Sequence, residues 1–124
     1  MRIFSQNLTN YEIPVPEGAI FRINLAWINS LDELTMLLKK HTSSKIFLDL
    51  PIGRTKPPNN KYSFDDLITI LTSNTNIRYF AISNVNSSQD LKSFIDSIPK
   101  HVSLVPKIES PEGVLHIKEI TDIL

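Results

Sequence analysis

Lys107 and Glu109 stand two residues apart at the end of the apolar run "HVSLV", and "SPEG" follows at once. Residues two apart on a strand share a face, so this run would deliver a cation and a carboxylate to one side. Arg22 and Asn24 repeat the arrangement in "AIFRINLAW". Asp49 in "KIFLDLP", with Ser83 and Asn84 in "IRYFAISNV", completes a set of polar residues at the ends of apolar runs. In parallel α/β sheets, sites gather at the carboxyl ends of the strands. At one rim, carboxylates can hold a hard divalent ion while arginine and lysine clamp phosphate oxygens around it. That chemistry is phosphoryl transfer, or the handling of an enolate beside a metal. Each residue also has a structural reading. A lysine at a strand end can be a solvated terminus. Asp49 before a proline turn can cap its own backbone. Arg22 can form a structural salt bridge with Glu109 or Asp49.

Other chemistries lack their residues. His41, His101 and His116 form no metal-ligand spacing and read as structural. Gly18, Gly53 and Gly113 stand alone, so there is no glycine-rich phosphate loop, and no nucleophile elbow is present. With no cysteine there is no disulfide and no thiolate nucleophile or ligand.

The elements that must position these residues alternate along the chain. Strands are expected at 19–27, 45–51, 77–85 and 102–109, with "RIF" near the start as a possible fifth. Helices are expected at 30–42, 63–73, 87–98 and 110–124. Three of them open on a serine with an acid three residues later, Ser30 and Glu33, Ser63 and Asp66, Ser87 and Asp90, the spacing of a capping box. The fourth has Ser110 as N-cap and Pro111 at the first helical position, where a missing N–H costs nothing. Four strand-to-helix units in a row predict a parallel sheet with helices packed on it. The strands read as continuous apolar runs, as when both faces are covered. Residues 1–18 are the least readable.

At 124 residues the expectation is a single domain, 1–124, large enough for a core. Thirteen basic and thirteen acidic residues cancel, with no basic stripe, which argues against nucleic acid and anionic membrane as partners. No apolar stretch reaches the roughly 18 residues of a membrane span, and the start lacks a signal-peptide core. A cytoplasmic location is the default expectation.

The sequence resembles the pyruvate kinase family in four segments. "FRINLAW" is similar to the family's Arg-x-Asn-Phe-Ser-His-Gly strand, and "IFLDLPIGRTK" to its Asp-x-x-Gly-x-x-x-Arg segment. "YFAISNVNSSQDL" resembles Ala-Leu-Ser-Phe-Val-Arg-Ser-Ala-Glu-Asp-Val. "LVPKIESPEGVLHIKEI" resembles Ile-Ile-x-Lys-Ile-Glu-Asn-x-Glu-Gly-Val-x-Asn-Ile-Asp-Glu-Ile and is the most specific of the four. The segments occur in the family's order, from about Arg22 to the C-terminus.

The resemblance implies a partial (β/α)8 TIM barrel of the phosphoenolpyruvate/pyruvate type. It implies phosphoryl transfer between phosphoenolpyruvate and ADP with Mg2+ or Mn2+ and K+. By match, Lys107 would stabilise the phosphoryl group in flight, Arg22 would hold the phosphate and Glu109 would be a divalent-metal ligand. Asn24 and Asp49 would belong to the K+ site, with Ser83 at its rim. The departures point the other way. Ala26 stands where the family has a serine ligand of K+, and Trp27 and Ile28 replace its His-Gly. Lys56 stands where the family has arginine, with Arg54 nearby. The lid domain, the strand with the second metal acid and the strand with the threonine beside the enolate are all missing from this sequence.

Three functional expectations follow. The chain is a lidless barrel segment that catalyses once completed by further strands, from the same gene or a second chain. Alternatively it is a non-catalytic binding or regulatory module that keeps the rim residues. A third reading is a Mg2+-dependent aldolase or lyase of the same barrel superfamily. The expected small-molecule partner is of the phosphoenolpyruvate/pyruvate type. Open parallel edges would invite a second chain or self-association.

Overall fold

The computed structural model describes residues 1–5 and 14–124. The expectations about 1–18 fall partly on 6–13, which lie outside the described residues. Five parallel strands form one sheet: β1 (Ile3–Ser5), β2 (Ile20–Asn24), β3 (Lys45–Leu50), β4 (Ile77–Ile82) and β5 (Ser103–Pro106). The "RIF" segment supplies β1. The strand order in space is the order in sequence, β1-β2-β3-β4-β5. Right-handed crossovers in such an order put every helix on the same face.

The packing agrees. Leu34, Leu37 and Leu38 of α1 (Leu31–Lys40), Leu67 and Leu71 of α2 (Phe64–Ser73), and Leu91 and Phe94 of α3 (Gln89–Ile95) share one core with Phe21, Ile23, Leu48 and Phe80. Ile120 of α5 (Ile117–Asp122) joins them. The opposite face carries a smaller apolar group, Ile20, Phe47 and Ala81 with Tyr79 and Val105, to which no described helix contributes. The expectation that both faces are covered therefore holds for the helix-bearing face, while no described helix covers the other. Positions on this face mix apolar residues with the polar Arg22, Asn24, Lys45 and Asp49, and the apolar ones pack on one another, Phe47 on Tyr79 with ring centroids 6.0 Å apart.

Local chemistry sets the element ends. Helix α2 has the full reciprocal capping box: Ser63 Oγ accepts from the Asp66 N–H at 3.2 Å, and Asp66 accepts from the Ser63 N–H at 2.8 Å. In α1 the device is shifted, since Glu33 accepts from the Asn29 N–H rather than from Ser30. Helix α3 begins at Gln89, one residue later than Ser87 as N-cap predicts. There Asp90 accepts from the N–H groups of Asn86 at 2.8 Å and Ser87 at 3.1 Å, and Glu119 accepts from the Ser88 N–H at 3.0 Å.

The expected helix 110–124 is two helices, α4 (Pro111–Leu115) and α5, broken at His116. The His116 ring Nδ1 lies 2.9 Å from the Asn86 carbonyl, which must accept from it, and this holds the residue away from helical dihedrals at φ −100° and ψ 11°. Strand β2 stops at Asn24, short of 27. The Asn24 side chain accepts from the Ala26 N–H at 3.0 Å and starts a 3-10 turn, Leu25–Trp27.

Candidate functional site at the carboxyl ends of the strands

The cross-strand register assembles the site. Asn24, Asp49, Ala81 and Val105 form one row across β2, β3, β4 and β5. Asp49 is fully buried, the only charged side chain among the described residues to be so. Burying a carboxylate costs free energy unless it is paired and hydrogen-bonded. Here two cations supply them. Arg22 donates to Asp49 Oδ2 from Nε at 3.1 Å and from Nη2 at 2.5 Å. Lys107 Nζ lies 3.1 Å from Oδ2 and 3.2 Å from Oδ1. Lys107 follows β5, two strands from β3, so its long side chain crosses in front of β4, where Ala81 leaves room. Arg22 also donates from Nη1 to Ser5 Oγ at 3.0 Å, so one guanidinium ties β1, β2 and β3.

A second set of bonds joins the loops above. Glu109 Oε2 accepts from the Asn84 N–H at 2.8 Å, and Glu109 Oε1 lies 3.8 Å from Lys107 Nζ. Asn84 sits in the left-handed region at φ 55° and donates from Nδ2 to the Ile52 carbonyl at 2.6 Å. Asparagine tolerates that backbone better than most residues. The loops after β3, β4 and β5 are thus fastened through Ile52, Asn84 and Glu109. Gly53 fits beneath this latch: its φ is 73°, and a Cβ there would stand 3.1 Å from Asn84 Nδ2.

Above Asp49 lies a cleft of about 390 Å³. Its walls include Arg22, Arg54, Lys56 and Lys107, with Asn24, Ser83 and Glu109. The structure brings every residue expected at the rim to one place: Arg22, Asn24, Asp49, Ser83, Lys107 and Glu109. The open choice of partner for Arg22 resolves to Asp49. The role of Asn84 as a latch was not legible, because nothing local in "ISNVN" marks a left-handed residue bonded to two other loops. Ser5 was missed for a different reason: three residues of "RIF" type carry too little periodicity to fix a register.

The donors must be tested against the implied metals. A divalent ion of the Mg2+ type wants several oxygens free to face it at about 2.1 Å. Both Asp49 oxygens are engaged by cations, and one Glu109 oxygen takes a backbone N–H. Asn24 Oδ1, assigned to K+ by resemblance, accepts from the Ala26 N–H. As arranged, these groups do not fit a divalent ion or K+, and among the described residues no cluster of three or more acids and histidines is suited to a metal. No described helix is long and apolar enough to cross a membrane. The sequence matches no protein-family model and no curated protein.

Proposed function

We propose that this chain is a segment of a phosphoenolpyruvate/pyruvate-type barrel, similar to pyruvate kinase, that binds a small phosphate- or carboxylate-bearing molecule at its rim. The observation that carries this reading is the Arg22–Asp49–Lys107 cluster under a cleft that also draws on Arg54 and Lys56. Asp49 does not neutralise the cleft. It fixes the two cations in place, so that little side-chain entropy is lost when an anion arrives.

Arg22 uses three of its five N–H donors on Asp49 and Ser5, and Lys107 uses two of three on Asp49. Each keeps donors for an incoming oxyanion, and charge-assisted bonds of this kind are the strong ones. The test is calorimetric titration of the chain with phosphoenolpyruvate. Binding near millimolar or tighter, about −4 kcal/mol or better, lost in Arg22→Met, is expected. Heat of dilution alone would contradict the reading.

A second reading, a catalytic barrel part, is favoured by one observation: the inner sheet face bears an apolar strip without a described helix over it. Further strands closing over that strip would finish a barrel and surround the rim. In that setting Lys107 would neutralise charge on a phosphoryl group in flight and Arg22 would hold it. Steady turnover of phosphoenolpyruvate with ADP, abolished by Lys107→Met, would make this the better account.

A further inference from the structure

We infer that the rim takes a small dianion and takes it without a divalent cation, Lys107 standing where such a cation would have to act. This rests on the anion-binding reading above and narrows it. A metal at Asp49 would have to displace Lys107 from both carboxylate oxygens, at 3.1 and 3.2 Å, and then sit beside the Arg22 guanidinium, itself 2.5 Å from Oδ2. Two like charges that close repel strongly wherever water is scarce. A metal at Glu109 would find one oxygen already accepting from Asn84, at 2.8 Å, and the ammonium of Lys107 3.8 Å from the other. One carboxylate so placed is a poor site for a hard ion that keeps an octahedral shell.

The charge balance leads to the ligand. Four cations, Arg22, Arg54, Lys56 and Lys107, face two carboxylates, Asp49 and Glu109. Arg54 is held by its own loop, donating from Nε to the Lys56 carbonyl at 2.7 Å, and among the described residues neither Arg54 nor Lys56 pairs with an acid. The excess is two positive charges, which one phosphate monoester or one small dicarboxylate cancels. Adding a divalent ion would double the excess instead. The phosphate and the dicarboxylate share this chemistry, so both are probes.

The experiment is calorimetry on the full chain with inorganic phosphate, malonate and acetate. Each is titrated first in chelator and then with Mg2+ in excess over protein. Mn2+ alone is followed by electron paramagnetic resonance. Phosphate or malonate should bind with affinities that agree within about twofold between the two buffers, and at least about tenfold tighter than acetate. Mn2+ alone should show no site tighter than about millimolar. Lys107→Met should lower dianion affinity at least about tenfold. If that variant fails to fold, the exposed Lys56→Met, expected to weaken binding several-fold, carries the same comparison.

Dianion binding seen only with Mg2+, or a micromolar Mn2+ site lost in Glu109→Gln, overturns this inference and leaves the anion-binding reading standing. Acetate binding as tightly as phosphate overturns the charge argument alone. No binding of any anion in either buffer removes both.

Discussion

Asp49 carries more of this structure than its size suggests. It is fully buried, and each of its oxygens receives an ammonium or guanidinium donor. Removing one member of a buried ion pair typically costs 3–5 kcal/mol, because the remaining charge is left without a partner. Arg22 and Lys107 keep about a quarter of their side-chain surface exposed and can turn to water. The cost of Asp49→Asn should therefore lie at the low end, about 3 kcal/mol, read as a shift in the denaturant midpoint at unchanged slope. A loss below about 0.5 kcal/mol would mean the cluster is not held as described. By contrast Lys118 and Asp122, an exposed i,i+4 pair at 2.7 Å, should contribute only about 0.3–0.5 kcal/mol.

The sequence made the shared face of Arg22 with Asn24, and of Lys107 with Glu109, readable, because strand alternation fixes it. It could not decide between Asp49 and Glu109 as partner of Arg22. That choice depends on the register between β2 and β3, which no local pattern encodes.

At the scale of elements, caps and close contacts set the outcome. The hydrogen bonds from Ser63, backbone first and side chain second, hold the Asp66 carboxyl below its ordinary range. A depressed folded value means the stabilisation is present above the unfolded value, near 3.8, and is lost as pH falls through the folded one. Asp66→Asn should flatten the acid limb of the stability profile; an unchanged limb would remove the cap from the account. Ser63→Ala should cost about 1 kcal/mol.

Tyr62 ties the loop after β3 to the segment after β2 by donating its hydroxyl to the Ile28 carbonyl. Burial, and then the nearby Glu33, push that phenol above its ordinary value. This contribution is intact below pH 10.0 and lost as pH rises through the folded value. Tyr62→Phe should cost about 1–2 kcal/mol by leaving the carbonyl without its donor.

Gly113 in α4 lies under the Val85 carbonyl, and an added Cβ would stand 2.6 Å from that oxygen. Backbone on backbone cannot give cheaply, so Gly113→Ala should destabilise by about 1–3 kcal/mol. The capping serines and acids were readable as spacing. The break at His116 was not, since its cause is a carbonyl 30 residues away.

For the whole molecule, the sequential strand order separates two faces of unequal strength. Phe80, fully buried in the main core beside Phe64 and Phe94, should lose about 3–5 kcal/mol on truncation to alanine. Phe47 belongs to the thinner apolar strip on the opposite face, 7% exposed and stacked on its strand neighbour Tyr79. Its truncation should cost about half as much. Equal losses would mean the second face is covered as well as the helix-bearing one. Apolar runs revealed that strands and helices alternate, and the alternate polar positions Arg22, Asn24, Lys45 and Asp49 mark the face that no described helix covers.

The central claim is that the carboxyl-end rim binds a small oxyanion. The most direct measurement is a two-dimensional amide titration of the labelled chain with phosphoenolpyruvate, up to about ten times a millimolar dissociation constant. The account predicts saturable shifts grouped at 52–56, at Ser83 and Asn84, and at 107–109, the loops that wall the cleft. No shifts over that range, or shifts gathered instead at the opposite end of the strands around Gly18 and Lys45, would contradict it.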